Sequence, residues 1–203
     1  MKKNKISKNW ISRQKKDIYV RQSKAEGYRS RAVFKIKEIN DKFKIIKDNI
    51  SVIDIGAAPG SWSQFLSRKI KNGKIISVDI NEFDKVENVI QIVGDFTNND
   101  FKKEILEKIK EKFDLVLSDM AVNTTGNKNL DAISTGELCL EAISFAEKNL
   151  KKNGKFVAKV FMGVSFEEII KNAKKIFVDV SIFKPLSSRK NSKENFIICK
   201  NLR

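Results

Sequence analysis

The feature that most constrains this chain is an alternation. Short apolar runs recur along it, and stretches with helical spacing separate them. The runs are SVIDIG (51–56), KIISVDI (74–80), VIQIVGD (89–95), FDLVLSD (113–119) and GKFVAKVF (154–161), followed by VDVSIF (178–183) and NFIICK (195–200). Helical patterns fall near 60–70, 98–112, 134–152 and 165–176. A strand that is apolar on both sides must be covered on both sides. The alternation therefore predicts an α/β fold: a mostly parallel, seven-stranded sheet with helices on both faces. The last two runs are joined only by a polar loop, 184–194, which predicts an antiparallel hairpin.

Ahead of the first run, residues 29–43 place Ala32, Ile36, Ile39 and Phe43 at helical spacing, with Tyr28, Arg31 and Lys35 on a neighbouring stripe. Residues 1–22 are polar and basic, with scattered Trp10, Ile11, Ile18 and Tyr19. They read as an arm ordered on binding, or as a loose helix. The expected organisation is a basic arm over 1–22 and one domain over 23–203.

Charge is unevenly spread. Lys and Arg number 41 against 25 Asp and Glu, a net +16. Residues 1–50 carry +11, residues 51–150 carry −4, and residues 151–203 carry +9. Basic ends around an acidic middle point to a polyanionic partner, most simply nucleic acid. The chain has no His, which excludes Ser-His-Asp and Cys-His catalysis and His-containing zinc sites. Its 2 Cys, Cys139 and Cys199, make no disulfide framework, which suits a reducing, cytoplasmic setting. No run reaches the roughly 18 apolar residues of a membrane span.

Four early strands end in a carboxylate or a glycine turn: Asp54-Ile55-Gly56, Asp79, Asp95 and Asp119. Ligands of open α/β sheets sit at that edge. The first turn, Gly56-Ala-Ala-Pro-Gly60, fails the dinucleotide fingerprint, because Ala58 and Ser61 stand where glycines are needed. No Walker lysine follows, so phosphate cradling is not indicated. Asp79, at the end of the second strand, is where an acid bonds ribose hydroxyls. A ligand with adenosine but no pyrophosphate fits: S-adenosylmethionine, whose cationic sulfonium suits an acidic edge.

The stretches YRSRAVFKI (28–36), DIGAAPGSWSQ (54–64), SDMAVN (118–123), AKVF (158–161) and KPLSSRKNSKEN (184–195) occur in order. Together they resemble the FtsJ/RrmJ family of 2′-O-ribose RNA methyltransferases. The resemblance implies a Rossmann-like, S-adenosylmethionine-dependent methyltransferase fold and a catalytic set at Lys35, Asp119, Lys159 and Glu194. It implies cofactor contacts from Gly60, Trp62, Asp79, Asp95 and Asp119. Its bacterial subgroup acts on a uridine ribose of 23S rRNA, which leads us to expect a large-subunit rRNA partner, within the assembled 50S subunit. A cytoplasmic monomer without metal or membrane contact is expected. Ser61 and Val122 stand where the family usually has Gly and Pro.

Removing a proton from a ribose hydroxyl without His calls for a lysine able to lose its charge. Lys159 is expected to be the general base. Asp119 would hold it, and Lys35 and Glu194 would orient the ribose. RNA contacts are expected from Lys24, Arg29, Arg31, Lys37, Arg189, Lys190 and Lys193, a stacking ring from Tyr28, and backbone contacts from Ser187 and Ser188. Arg29 and Arg31 are expected to serve RNA and not the cofactor. The competing readings are a tRNA or mRNA-cap ribose methyltransferase and a non-catalytic ribosome assembly factor.

Overall fold

The computed structural model describes residues 17–122, 125 and 127–203, apart from the Lys128 side chain. Seven strands form one sheet: β1 Ser51–Ile55, β2 Lys74–Asp79, β3 Val89–Val93, β4 Phe113–Ser118, β5 Leu150–Phe161, β6 Phe177–Phe183 and β7 Glu194–Leu202. Their spatial order is β3-β2-β1-β4-β5-β7-β6. The first five strands pair in parallel, and β7 runs antiparallel to both β5 and β6. The parallel sheet and terminal hairpin expected from the apolar runs are both present. The helices are α1 Ile18–Ala25, α2 Val33–Phe43, α3 Ser61–Lys69, α4 Asn99–Ile109, α5 Lys128–Asn149 and α6 Phe166–Ile176.

The pleat sorts each strand into two faces. Ile53, Ile55, Ile76, Val78 and Val116 pack with Ile105, Ile109, Ala142, Ile143 and Ile169 from α4, α5 and α6. Val52, Ile75, Leu115, Leu117, Val157 and Phe196 pack with Ile36, Ile39, Phe65 and Leu66 from α2 and α3. All five residues of β1 are buried, as a strand covered on both faces requires.

Helix α5 differs from its expected span of 134–152. It begins six residues earlier, where Asn127 caps it by accepting from the backbone N–H groups of Asn129 and Leu130. Its first turns carry Leu130 and Ile133 at 49% and 36% exposure, so no apolar stripe marks them in the sequence. It ends at Asn149 because Leu150 already pairs with Phe113 of β4. Of the expected N-terminal arm, residues 1–16 lie outside the described residues. Helix α1 runs across residue 22, and Ser23 is buried. Asp17 caps it through the Tyr19 N–H, and the Tyr19 ring lies 5.3 Å from Phe34. No described helix is long and apolar enough to cross a membrane.

The chain leaves β1 toward β2 and β3, then returns to the other side of β1 as β4. Loops diverge at that switch point and open a crevice. Backbone bonds fix its walls: Gly56 N–H donates to the Val78 carbonyl at 2.8 Å, and Asp119 N–H to that of Ile55 at 3.0 Å. Gly56 has φ +76°, and a Cβ there would lie 2.7 Å from the Met120 backbone nitrogen. The left-handed backbone alone costs alanine about 1–2 kcal/mol. Gly56→Ala is expected to destabilise the fold by at least about 2 kcal/mol, read as a lower urea midpoint.

Candidate active site

Four charged side chains meet at the carboxyl edge of the sheet. Asp119 follows β4, Lys159 lies near the end of β5, Glu194 opens β7, and Lys35 comes from the first turn of α2. Asp119 continues the alternation of Leu115 and Leu117, and Lys159 that of Val157, both on the α2–α3 side. Antiparallel pairing sets Phe196 opposite Lys159 and Glu194 opposite Phe161.

The Lys159 ammonium stands 3.1 Å from Asp119 Oδ1 and donates to the Asp119 carbonyl at 2.5 Å. Lys35 Nζ donates to Glu194 Oε2 at 2.7 Å and lies 3.9 Å from Asp119 Oδ2. Asp119 is thus shared between two ammonium groups. Ser188 Oγ donates to the other Glu194 oxygen at 2.7 Å, and Lys35 Nζ lies 5.7 Å from the Phe196 ring centre. The four side chains are buried to between 83% and 92%. Burial opposes the Asp119 charge, but Lys159 and Lys35 outweigh it and hold its carboxyl below the ordinary value. Burial also opposes the charge on Lys35, yet Asp119 and Glu194 hold its ammonium above the ordinary value. Lys35 is thereby held as a cation beside the Lys159–Asp119 pair.

Two clefts flank this cluster and share Ser30 and Ala32. One is lined by Asp54, Gly56, Ala57, Ala58, Pro59, Ser61, Trp62 and Asp119. The other, of about 210 Å³, is lined by Arg31, Lys35, Ser187, Arg189, Ser192 and Glu194. A larger hollow along α6, of about 500 Å³, contains none of the expected site residues.

The first cleft is narrow, about 20 Å³, and its lining has the chemistry for a cationic ligand such as the implied cofactor. Asp119 gives it negative charge, Asp54 lines it as well, and one buried oxygen of Asp54 has no hydrogen-bond partner. Gly60 has φ +92°, and a Cβ there would meet Arg29 Nη1 at 2.5 Å and the Phe83 ring at 2.7 Å. Asp79 braces the turn: its oxygens accept from Ala58 N–H at 2.9 Å and Asn81 N–H at 2.8 Å. Trp62 is 2% exposed, donates its indole N–H to the Ala32 carbonyl and packs on Phe196. It lines the cleft and also fixes the start of α2. Asp95 is exposed and holds a turn through the Thr97 N–H and hydroxyl. Ser61 lies 2.7 Å from the Ser30 hydroxyl, so this departure from the family pattern stitches α3 to the segment before α2.

The expected RNA contacts divide. Arg29 donates to the carbonyls of Pro59 at 3.0 Å, Asp84 at 2.6 Å and Lys85 at 2.9 Å. It clasps the loops around the first cleft, so the expectation that it serves only RNA is corrected: three close carbonyl acceptors hold its guanidinium inward. Arg31 binds Asp17 and the Ser187 carbonyl, and Lys37 binds Glu26. Tyr28 is 8% exposed beneath Arg68 and Lys37, so its ring is covered where base stacking was expected. Ser187 and Ser188 are buried as well. Lys24, Arg189, Lys190 and Lys193 are exposed.

Other residues carry the site without standing out in the sequence. Glu38 accepts from the Leu186 and Ser187 N–H groups at 2.5 and 2.9 Å and so holds the loop that presents Ser188. Its helical spacing from Lys35 was the available signal. Ser63 Oγ donates to Asp54 Oδ2 at 2.7 Å inside the core. Burial, then the charges of Asp119 and Asp79, push the Asp54 carboxyl up to about 7 against the opposing Ser63 bond.

The FtsJ-like methyltransferase family model matches residues 28–202. The chain belongs to that family. The methyltransferase is 58% identical over 203 residues, the whole of both chains, to the ribosomal RNA large subunit methyltransferase E of Pelagibacter ubique. It is 43% identical over 202 residues, 98% of each chain, to the protein of that name in Legionella pneumophila strain Corby. A solved Plasmodium falciparum protein described as a ribosomal RNA methyltransferase superposes with a TM-score of 0.78 at 32% identity, over 86% of this chain and 98% of that one. A fibrillarin from Methanococcus jannaschii, 16% identical with a TM-score of 0.55 over 77% of this chain and 68% of its own, shares the fold.

The clasp predicts that Arg29→Ala loosens residues 82–85, seen as faster amide hydrogen exchange there. The Asp54 environment makes a second prediction. A carboxyl raised from 3.8 to about 7 binds its proton more tightly when folded, so its contribution favours the fold at low pH. That contribution is lost as pH rises from about 4 to about 7. Asp54→Asn should therefore gain stability at pH 8 over pH 5, by about 2 kcal/mol, in thermal melts relative to the unsubstituted chain.

Proposed function

We propose that this FtsJ-like methyltransferase transfers a methyl group from S-adenosylmethionine to the ribose 2′-hydroxyl of a uridine in 23S rRNA. The observation that carries the reading is the buried cluster in which Lys159 pairs with Asp119, which lines the first cleft, and Lys35 pairs with Glu194, both of which line the second. S-adenosylmethionine supplies an electrophilic methyl on a sulfonium. The relatives named as large subunit methyltransferases support rRNA as the acceptor. The assembled 50S subunit, a monomeric state and a cytoplasmic location belong to the same reading.

The first cleft takes the cofactor, with Gly60 giving close approach, Trp62 a wall, Asp79 the ribose contact and Asp95 and Asp119 further contacts. The second cleft takes the acceptor nucleotide. Lys159, having first given up its ammonium proton to solvent, accepts the 2′-hydroxyl proton at Nζ, and Asp119 holds that nitrogen in place. Lys35, kept charged by Asp119 and Glu194, aligns the ribose. The chain's work is positioning and one proton transfer. Lys24, Arg189, Lys190 and Lys193 contact phosphates, joined by the basic arm 1–22, which makes binding strongly salt-dependent.

Methyl transfer from labelled cofactor to undermodified large subunits, naked rRNA and tRNA tests this reading, with digestion to nucleosides locating the label. Label on 2′-O-methyluridine from subunits is expected. Label on tRNA alone overturns the acceptor, and binding of cofactor without transfer to any RNA supports an assembly factor. Lys159→Ala is expected to bind cofactor normally and lose methylation by about 10²–10⁴-fold. Undiminished turnover in that variant overturns the base assignment.

A further inference from the structure

Asp54 has no role in the chemistry above, yet it is the most deeply buried acid at the cofactor edge. It is 0% exposed and lines the first cleft. One carboxyl oxygen accepts from Ser63 Oγ, and the other has no hydrogen-bond partner. A buried ionised carboxylate with one bare oxygen is costly. The charged groups facing it deepen that cost. Asp119 approaches from the end of β4 and Asp79 from the end of β2, both negative, while α3 offers only the Ser63 hydroxyl and backbone. Lys159 and Lys35 are paired to Asp119. A neutral acid is the form this setting favours.

We propose that Asp54 is a charge sensor for the cofactor: it waits in the empty cleft as a carboxylic acid and releases its proton to solvent when S-adenosylmethionine binds. The inference rests on the cofactor reading above. S-adenosylmethionine carries a sulfonium, an ammonium and a carboxylate, a net charge of +1. Its demethylated product has lost the sulfonium and is neutral overall. A cation beside Asp54 stabilises the carboxylate, whereas the neutral product does so less. The proton returns as the methyl leaves, so the same residue strengthens binding of the substrate form and weakens retention of the spent one. The group is positioned to discriminate between the two forms and touches no reacting atom.

Proton linkage supplies the sign. Near neutral pH the empty cleft holds the Asp54 proton, and the donor complex does not. Donor affinity should therefore fall as pH drops below about 7, by at most about tenfold per pH unit. Product affinity should change less over the same range. Above about pH 8 there is no Asp54 proton to release, and the preference for donor over product is greatest.

Calorimetric titration of the full chain tests this, with donor and with product, in buffers of different ionisation enthalpy at about pH 6.5. The expected result is release of a substantial fraction of one proton with donor and less with product. Asp54→Asn should bind both ligands, release no such proton and lose most of the donor preference. Ser63→Ala, which removes the bond favouring the charged form, should shift the pH midpoint upward and guards against a misfolded Asn variant. Infrared difference spectra should show a carboxylic acid carbonyl band disappearing on donor binding. Binding with identical heats in all buffers overturns the proposal and leaves the cofactor reading intact. The same proton released by Asp54→Asn assigns it elsewhere, to Lys159 first, and also overturns it. Absence of binding overturns both.

Discussion

A strand shows alternate side chains to opposite faces, and the site depends on that rule. Asp54, Asp79, Asp119, Lys159 and Glu194 come from five strands or their ends. Each carries the parity of the residues that pack under α2 and α3, such as Val52, Ile75, Leu117, Val157 and Phe196. One shift of register in any of these strands would turn its charge toward α4, α5 and α6 instead. The apolar residues that set the register thereby aim the polar ones. Helix α2 then needs only to lie across that face for Lys35 to reach Glu194 and Asp119.

Charges collected in this way are stable only in combination. Lys35 and Lys159 oppose Asp119 and Glu194, two cations against two anions, and every member is largely removed from water. Removing one leaves a buried partner uncompensated, which costs more than the pair contributes. The loops around the cluster are fixed by a second set of contacts. Arg29 binds three carbonyls, Arg31 joins Asp17 to the Ser187 segment, and Glu38 takes the N–H groups of Leu186 and Ser187. Basic residues of the first segment thus divide into two groups. Those near α2 tie together the segments beside the two clefts, and Lys24 is exposed.

The pattern of a sequence shows the first layer of this and not the second. SVIDIG and FDLVLSD mark strands because they are apolar throughout, and the motif residues Lys35, Asp119, Lys159 and Glu194 meet within hydrogen-bonding or ion-pair distance in three dimensions. The start of α5 was hidden because Leu130 and Ile133 face outward. Arg29 and Arg31 read as nucleic-acid contacts because a guanidinium looks alike in a sequence whether its acceptors are phosphates or carbonyls. Tyr28 was misplaced for the same reason, since stacking and burial call on the same ring.

By itself the sequence determined the alternation of strands and helices, the acidic ends of the strands and the absence of histidine. Those properties follow from residue type and short-range spacing. Only the tertiary structure decided which charges pair, because partners such as Lys35 and Glu194 are 159 positions apart. It alone decided that Asp54 keeps one oxygen unpartnered beside two other carboxylates. Burial and through-space charge set the protonation of an acid, and neither is a property of its neighbours in the chain.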